Sequence, residues 1–110
     1  MLPKDQRIVR GDEIKQTVRN KQFHFASPLL YFSGRYSKND KRVVVICSGK
    51  VGNAVTRNRI KRQIVGAYGN IRHNIAKNID MAIMPQKSAA TNEYQGALEQ
   101  GLKQAKLWQE

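Results

Sequence analysis

With 110 residues, 40% of them apolar and no compositional break, the chain has room for one domain over residues 1–110 around a single hydrophobic core, which excludes a disordered basic tail. Twenty Lys and Arg against eight Asp and Glu give a formal charge of +12 and a pI near 10.3, pointing to a polyanionic partner without separating RNA from DNA or an acidic membrane. No stretch is apolar enough to span a bilayer, no apolar leader core follows Met1, and the lone Cys47 excludes a disulfide frame or a cysteine zinc cluster, so a cytoplasmic location is expected.

In chain order, Asp12 is expected to cap a helix of roughly nine residues. Ile14, Thr17 and Val18 form its narrow stripe, while Lys15, Gln16 and Arg19 face away. Phe23 and Phe25 alternate with His24, Ser27 and Pro28 interrupt, and Leu29 to Phe32 is a continuous apolar run. This reads as a strand broken or bent at Pro28. Ser33 to Lys41 is polar and reads as a loop. Arg42 to Ser48, with Val43, Val44, Val45, Ile46 and Cys47, reads as a strand covered on both faces.

After a turn at Gly49 to Gly52, Ala54 to about Tyr68 has helical spacing, with Ile60, Ile64, Ala67 and Tyr68 on one face. Gly66 and Gly69 weaken its end, and Asn70 to Lys77 is a further turn or a loop. Ile79 to Met84 is a strand stopped by Pro85. A final amphipathic helix, capped by Thr91 or Asn92, carries Tyr94, Ala97, Leu98, Gly101, Leu102 and Ala105 inward, with Trp108 closing the core. The order helix, strands, helix, strand, helix predicts an α+β fold, a two-layer α/β sandwich with a mostly antiparallel sheet.

Charge is unevenly spread: between Lys41 and Ile79 there are nine Lys or Arg and no acid. The informative stretch is Ser48 to Arg62. Gly49 and Gly52 allow a tight strand-to-helix turn, exposing backbone N–H groups beside the positive end of the new helix. Lys50, Asn53, Arg57, Asn58, Arg59, Lys61 and Arg62 then present donors in several directions. That arrangement suits the irregular backbone of a folded RNA, with Asn58 able to read a base edge or a 2′-hydroxyl. A merely solvated helix face is the bland alternative. It is disfavoured because no acid sits three or four residues from these cations, so their mutual repulsion needs an external counter-charge.

Lys50, Gly52, Ala54, Val55, Arg57, Asn58, Arg59, Ile60, Lys61 and Arg62 together resemble the signature of the protein subunit of bacterial ribonuclease P. A fainter likeness extends over nearly the whole chain, including the Leu2-Pro3-Lys4 opening and Ile79-Asp80. The resemblance implies an α/β sandwich with a left-handed crossover into the signature helix. It implies as partners the catalytic RNA of ribonuclease P and precursor tRNA, whose 5′ leader is removed, with magnesium held mainly by RNA and no cofactor bound by the protein. No membrane and no obligate protein partner are expected. The family's leader-binding cleft falls, by ungapped alignment, on Ile14, Val18 and Phe32. Gly49 and Val65 stand where the family usually has lysine and arginine, so part of the basic surface is trimmed.

His24 and His73 have no ligand-type neighbour at metal-binding spacing, Asp12 and Glu13 adjoin a helix start, and Gly49-Lys50 does not fit a P-loop. No metal site and no catalytic residue are therefore assigned. The competing readings are a ribosomal-type structural RNA binder and a protein nuclease acting alone.

Overall fold

The computed structural model describes residues 6–38 and 41–110; the Leu2-Pro3-Lys4 opening lies outside them. Among the described residues, three helices and four strands follow in the order α1 (Gly11–Arg19), β1 (Phe23–Ala26), β2 (Leu30–Tyr36), β3 (Arg42–Val45), α2 (Ala54–Ile71), β4 (Ile79–Pro85) and α3 (Thr91–Gln104). Short 3₁₀ turns at Gly49–Val51 and Arg72–Asn74 flank α2. One sheet runs in the order β1-β2-β4-β3, antiparallel except for the parallel β3–β4 pair that α2 connects.

Alternation along the strands sorts the side chains onto two faces. Leu30, Phe32, Val43, Met81 and Ile83, joined by Phe23 and Phe25, pack with Ile60, Ile64, Ala67, Tyr68 and Ile71 of α2 and with Tyr94, Leu98 and Leu102 of α3 in one core cluster. Trp108 packs against that cluster only partly buried, and bridges to Ile75. The opposite face of the sheet carries α1. There Arg42 makes a two-bond fork to Asp80 (Nε–Oδ1 2.9 Å, Nη2–Oδ2 3.0 Å) and also donates to Glu13 of α1 at 2.9 Å. Asp80 is 1% exposed, and Arg35 adds a second cation at 3.6 Å while donating to Gln16 of α1 at 3.1 Å. Hydrogen bonds to both carboxylates, the one to Asp80 foremost, raise the Arg42 pKa further above its ordinary value.

Several expected boundaries move, each for a local reason. Of the two readings of Phe23 to Phe32, a strand broken or a strand bent at Pro28, the break is what forms, and the two halves pair as an antiparallel hairpin. The Ser27 hydroxyl accepts from the N–H groups of Leu29 and Leu30, both at 3.2 Å, and Ser27 N–H donates to Leu30 C=O, closing a tight turn around Pro28. Strand β2 then runs on through Ser33 to Tyr36, where a loop is expected from the polar sequence. Gly34 is needed there for close approach, since a Cβ would lie 2.4 Å from the Asp80 carbonyl and 2.5 Å from the Phe23 ring. Strand β3 is shorter than expected and lies at the sheet edge, so only Val43 is fully buried and the second face is only partly covered.

Helix α1 begins two residues before its expected start: Arg10 is the N-cap, and Asp12 sits in the first turn paired with Arg10 at 3.3 Å instead of capping. Helix α3 is capped at Ala90, one residue before Thr91, and the Glu93 carboxylate accepts from the Ala90 N–H at 3.4 Å. Gly66 and Gly69 lie inside α2, which continues to Ile71 because Ile71 adds a further buried contact on the face of Ile60, Ile64 and Tyr68.

Candidate nucleic-acid interface

The strand-to-helix turn is held by its own side chains. The Ser48 hydroxyl accepts from Lys50 N–H at 3.3 Å, and Asn53 caps α2 by accepting from Thr56 N–H at 2.9 Å. Gly52, with φ 141°, occupies backbone space that a side chain would strain, and a Cβ there would lie 2.7 Å from Thr56 Cγ2. Asn53, expected as an RNA contact, therefore has its side-chain oxygen committed to the cap.

Along α2, Ile60 and Ile64 are fully buried, and the cations occupy the rest of the circumference. Arg57 and Lys61 stand one turn apart on one strip, Asn58 and Arg62 on the next, and Arg59 beyond them. Asn58, Arg59, Lys61 and Arg62 are exposed, as is Lys50 in the preceding turn, and Arg57 is half-buried. Val55, 76% exposed, leaves an apolar side chain at the surface of the helix start. Among the described residues, no ion pair engages Lys50, Arg57, Arg59, Lys61 or Arg62. Asp80 and Glu13 are held by Arg42, Asp12 by Arg10, and Glu99 by Lys103. Part of the chain's positive excess thus reaches the surface here as a cluster with no ion-paired counter-charge among the described residues.

The three expected cleft residues separate. Ile14 and Val18 are half-buried on α1, around the buried Thr17. Phe32 is fully buried on the opposite face of the sheet, against Phe25 (ring centroids 5.5 Å) and the α3 backbone at Gly101, so it lines the core and cannot line a cleft beside α1. Its neighbour Tyr31 takes the α1 face. That ring is half-buried, stacked on His24 with centroids 6.4 Å apart at 27°, and its hydroxyl meets Lys21 Nζ at 3.2 Å. The alternation that pairs Phe32 with the inward-facing Phe25 could have identified Tyr31, had the hairpin been recognised.

Cys47 lies half-buried behind the signature turn, its thiol directed to the Arg57 carbonyl at 3.9 Å. Desolvation pushes its pKa up, against a smaller opposing pull from Lys61 and Arg57. Among the described residues no group of three or more His, Cys, Asp or Glu is placed to hold a metal ion, and no helix is long and apolar enough to cross a membrane.

The family model described as Ribonuclease P matches residues 2–109. The "Ribonuclease P protein component" of Macrococcus caseolyticus is 32% identical over 96% of this chain and 94% of that protein. That of Halalkalibacterium halodurans is 33% identical over 98% of this chain and 94% of that protein. Among solved structures, the Staphylococcus aureus RNase P protein superposes with a TM-score of 0.81 at 26% identity, covering 96% of this chain and 99% of that one. The Thermotoga maritima RNase P protein, at 18% identity and a TM-score of 0.78, shares the fold.

Proposed function

The chain belongs to the Ribonuclease P protein family, and from that premise we propose that the exposed cationic face of α2 is the surface with which it holds its RNA partner. Proteins of this family are accessory components of a ribonucleoprotein endoribonuclease that matures the 5′ end of tRNA, and this chain has that role. The family match sets aside a ribosomal-type structural binder and a nuclease acting alone. What remains to be assigned is which side chains do which part of the work.

In this reading Lys50, Arg57, Arg59, Lys61 and Arg62 neutralise backbone phosphates of the catalytic RNA, and Asn58, exposed between them, supplies a donor and an acceptor for a base edge or a 2′-hydroxyl. Asn53 contributes by capping the helix that carries them. The magnesium of the holoenzyme is held mainly by RNA, and the protein's share is charge neutralisation and positioning. The observation that carries the assignment is the absence of any acidic partner for these cations among the described residues.

The precursor 5′ leader is assigned to the α1 face of the sheet, with Ile14 and Val18 on the helix and Tyr31, not Phe32, on the strand. A tyrosine ring offers a base stacking worth about 1–3 kcal/mol, which the aliphatic pair matches only in part. The same reading puts the complex in the cytoplasm. The test is cleavage of precursor tRNA by a bacterial ribonuclease P RNA at low magnesium, with and without this protein. Stimulation is expected, together with tighter binding of precursor than of mature tRNA that weakens in Tyr31→Ala. Absence of stimulation removes the reading, and stimulation with no preference for precursor removes the leader assignment alone.

A further inference from the structure

Beside the cationic face lies a feature that phosphate neutralisation does not use. Before α1, the chain runs alongside the free edge of β3: Arg7 bridges to Val43, and Ile8 N–H donates to the Val43 carbonyl at 3.1 Å. Between this added edge and α2 is a groove of about 760 Å³, within the range of about 300–1,000 Å³ common to small-ligand sites. Val43, Val45 and Val65 are among its aliphatic lining. Gly66 and Gly69, one turn apart on α2, leave the helix wall bare: a Cβ at Gly69 would meet nothing within 4 Å, and one at Gly66 only Thr91 Cγ2 at 3.9 Å.

The polar part of the lining is cationic throughout. Arg7, Lys61 and Arg62 are its charged residues, with no acid among them, and Lys61 and Arg62 belong also to the exposed face of α2. The Nε of Arg7 is shut away from solvent and has no acceptor among the described residues, a buried donor open to a bound group. Val9, also in the lining, is 59% exposed. An apolar slot edged by guanidinium and ammonium groups, continuous with a phosphate-binding helix, matches a flat heterocycle attached to a phosphodiester.

We propose that this groove receives an unstacked nucleobase of the same RNA that the α2 face holds, with Arg7, Lys61 and Arg62 gripping the flanking phosphates. The proposal rests on the assignment of α2 as the RNA surface and deepens it. A base splayed from a loop or bulge is the form in which RNA offers an apolar face together with readable edges. Valine walls take the ring faces, and the two glycines let the ring approach the helix backbone. The grip thus combines salt-dependent contacts at the rim with a salt-independent one inside.

The test is to fill the slot without touching a charge. Gly69→Leu places a side chain in the groove, and replacing a helix-interior glycine favours the helix. RNA affinity is expected to fall on the order of tenfold, the loss of one stacked base, with the slope of log affinity against log salt unchanged and the thermal midpoint held or raised. Arg62→Ala is the companion: it should lower affinity and flatten that slope. If Arg62→Ala behaves so while Gly69→Leu binds like the parent, the groove proposal is overturned and the α2 assignment stands. If neither variant changes binding, both fall. If Gly69→Leu lowers the thermal midpoint of the free protein, and removing residues 1–5 abolishes that loss, the groove is occupied by the chain's own N-terminal segment and the proposal is overturned.

Discussion

Replacing Arg42 by Met tests whether the α1 face of the sheet is organised around a buried charge. The substitution keeps the length and apolar stem of the side chain but removes the fork on Asp80 and the bond to Glu13. Asp80, 1% exposed, is then left with Arg35 at 3.6 Å as its nearest cation. Removing one partner of a buried pair costs about 3–5 kcal/mol, because the remaining charge stays desolvated and uncompensated. At a urea slope of about 2 kcal/mol/M, a loss of about 4 kcal/mol lowers the unfolding midpoint by about 2 M. The double variant Arg42→Met/Asp80→Leu removes both charges and should recover most of that loss. Glu13→Gln, on a carboxylate 25% exposed, should cost under about 1 kcal/mol. Urea titrations followed by far-ultraviolet circular dichroism give all three values. A midpoint for Arg42→Met within about 0.5 M of the parent would refute the reasoning, since it would mean that Asp80 is solvated or satisfied by other groups.

Two helix glycines should respond in opposite senses. A Cβ at Gly101 would lie 2.4 Å from the Phe32 ring and 2.7 Å from Phe25, so Gly101→Ala should destabilise by about 1–3 kcal/mol. Gly66→Ala has room and should stabilise by about 0.5–1 kcal/mol; thermal melts of the pair would contradict the packing if the signs agreed. Because burial raises the Cys47 pKa, the reactive thiolate is scarce at pH 8. Alkylation by iodoacetamide should accordingly run slower in the folded protein than in urea, and accelerate only as pH rises past the ordinary thiol range; equal rates at pH 8 would show an unburied thiol.

The parts of the fold legible in the sequence are those set by one periodicity over many residues. The spacing of Ile60, Ile64, Ala67 and Tyr68 locates α2 and its buried face, and the apolar run from Ile79 locates the central strand. The cationic signature was legible because it is contiguous. What escaped depends on partners distant in the chain. Gly34 reads as a loop residue until the Phe23 ring and the Asp80 carbonyl are seen against it. Arg42 reads as one more surface cation until Asp80, 38 positions away, is found beneath it. The α1 face of β2 is one position off from the sequence alone, since Phe32 turns out to face the core and Tyr31 the helix. Without the hairpin turn at Ser27 the strand register is not set, and one step in a strand exchanges Tyr31 for Phe32 across the sheet.

The most direct test of the central claim is the salt dependence of binding to the ribonuclease P RNA. For Arg57→Ala and Arg62→Ala, the slope of log affinity against log salt should flatten by roughly 0.7–0.9 for each phosphate contact removed, with folding intact by circular dichroism. A slope identical to the parent's in both variants would place the RNA on another surface of the protein.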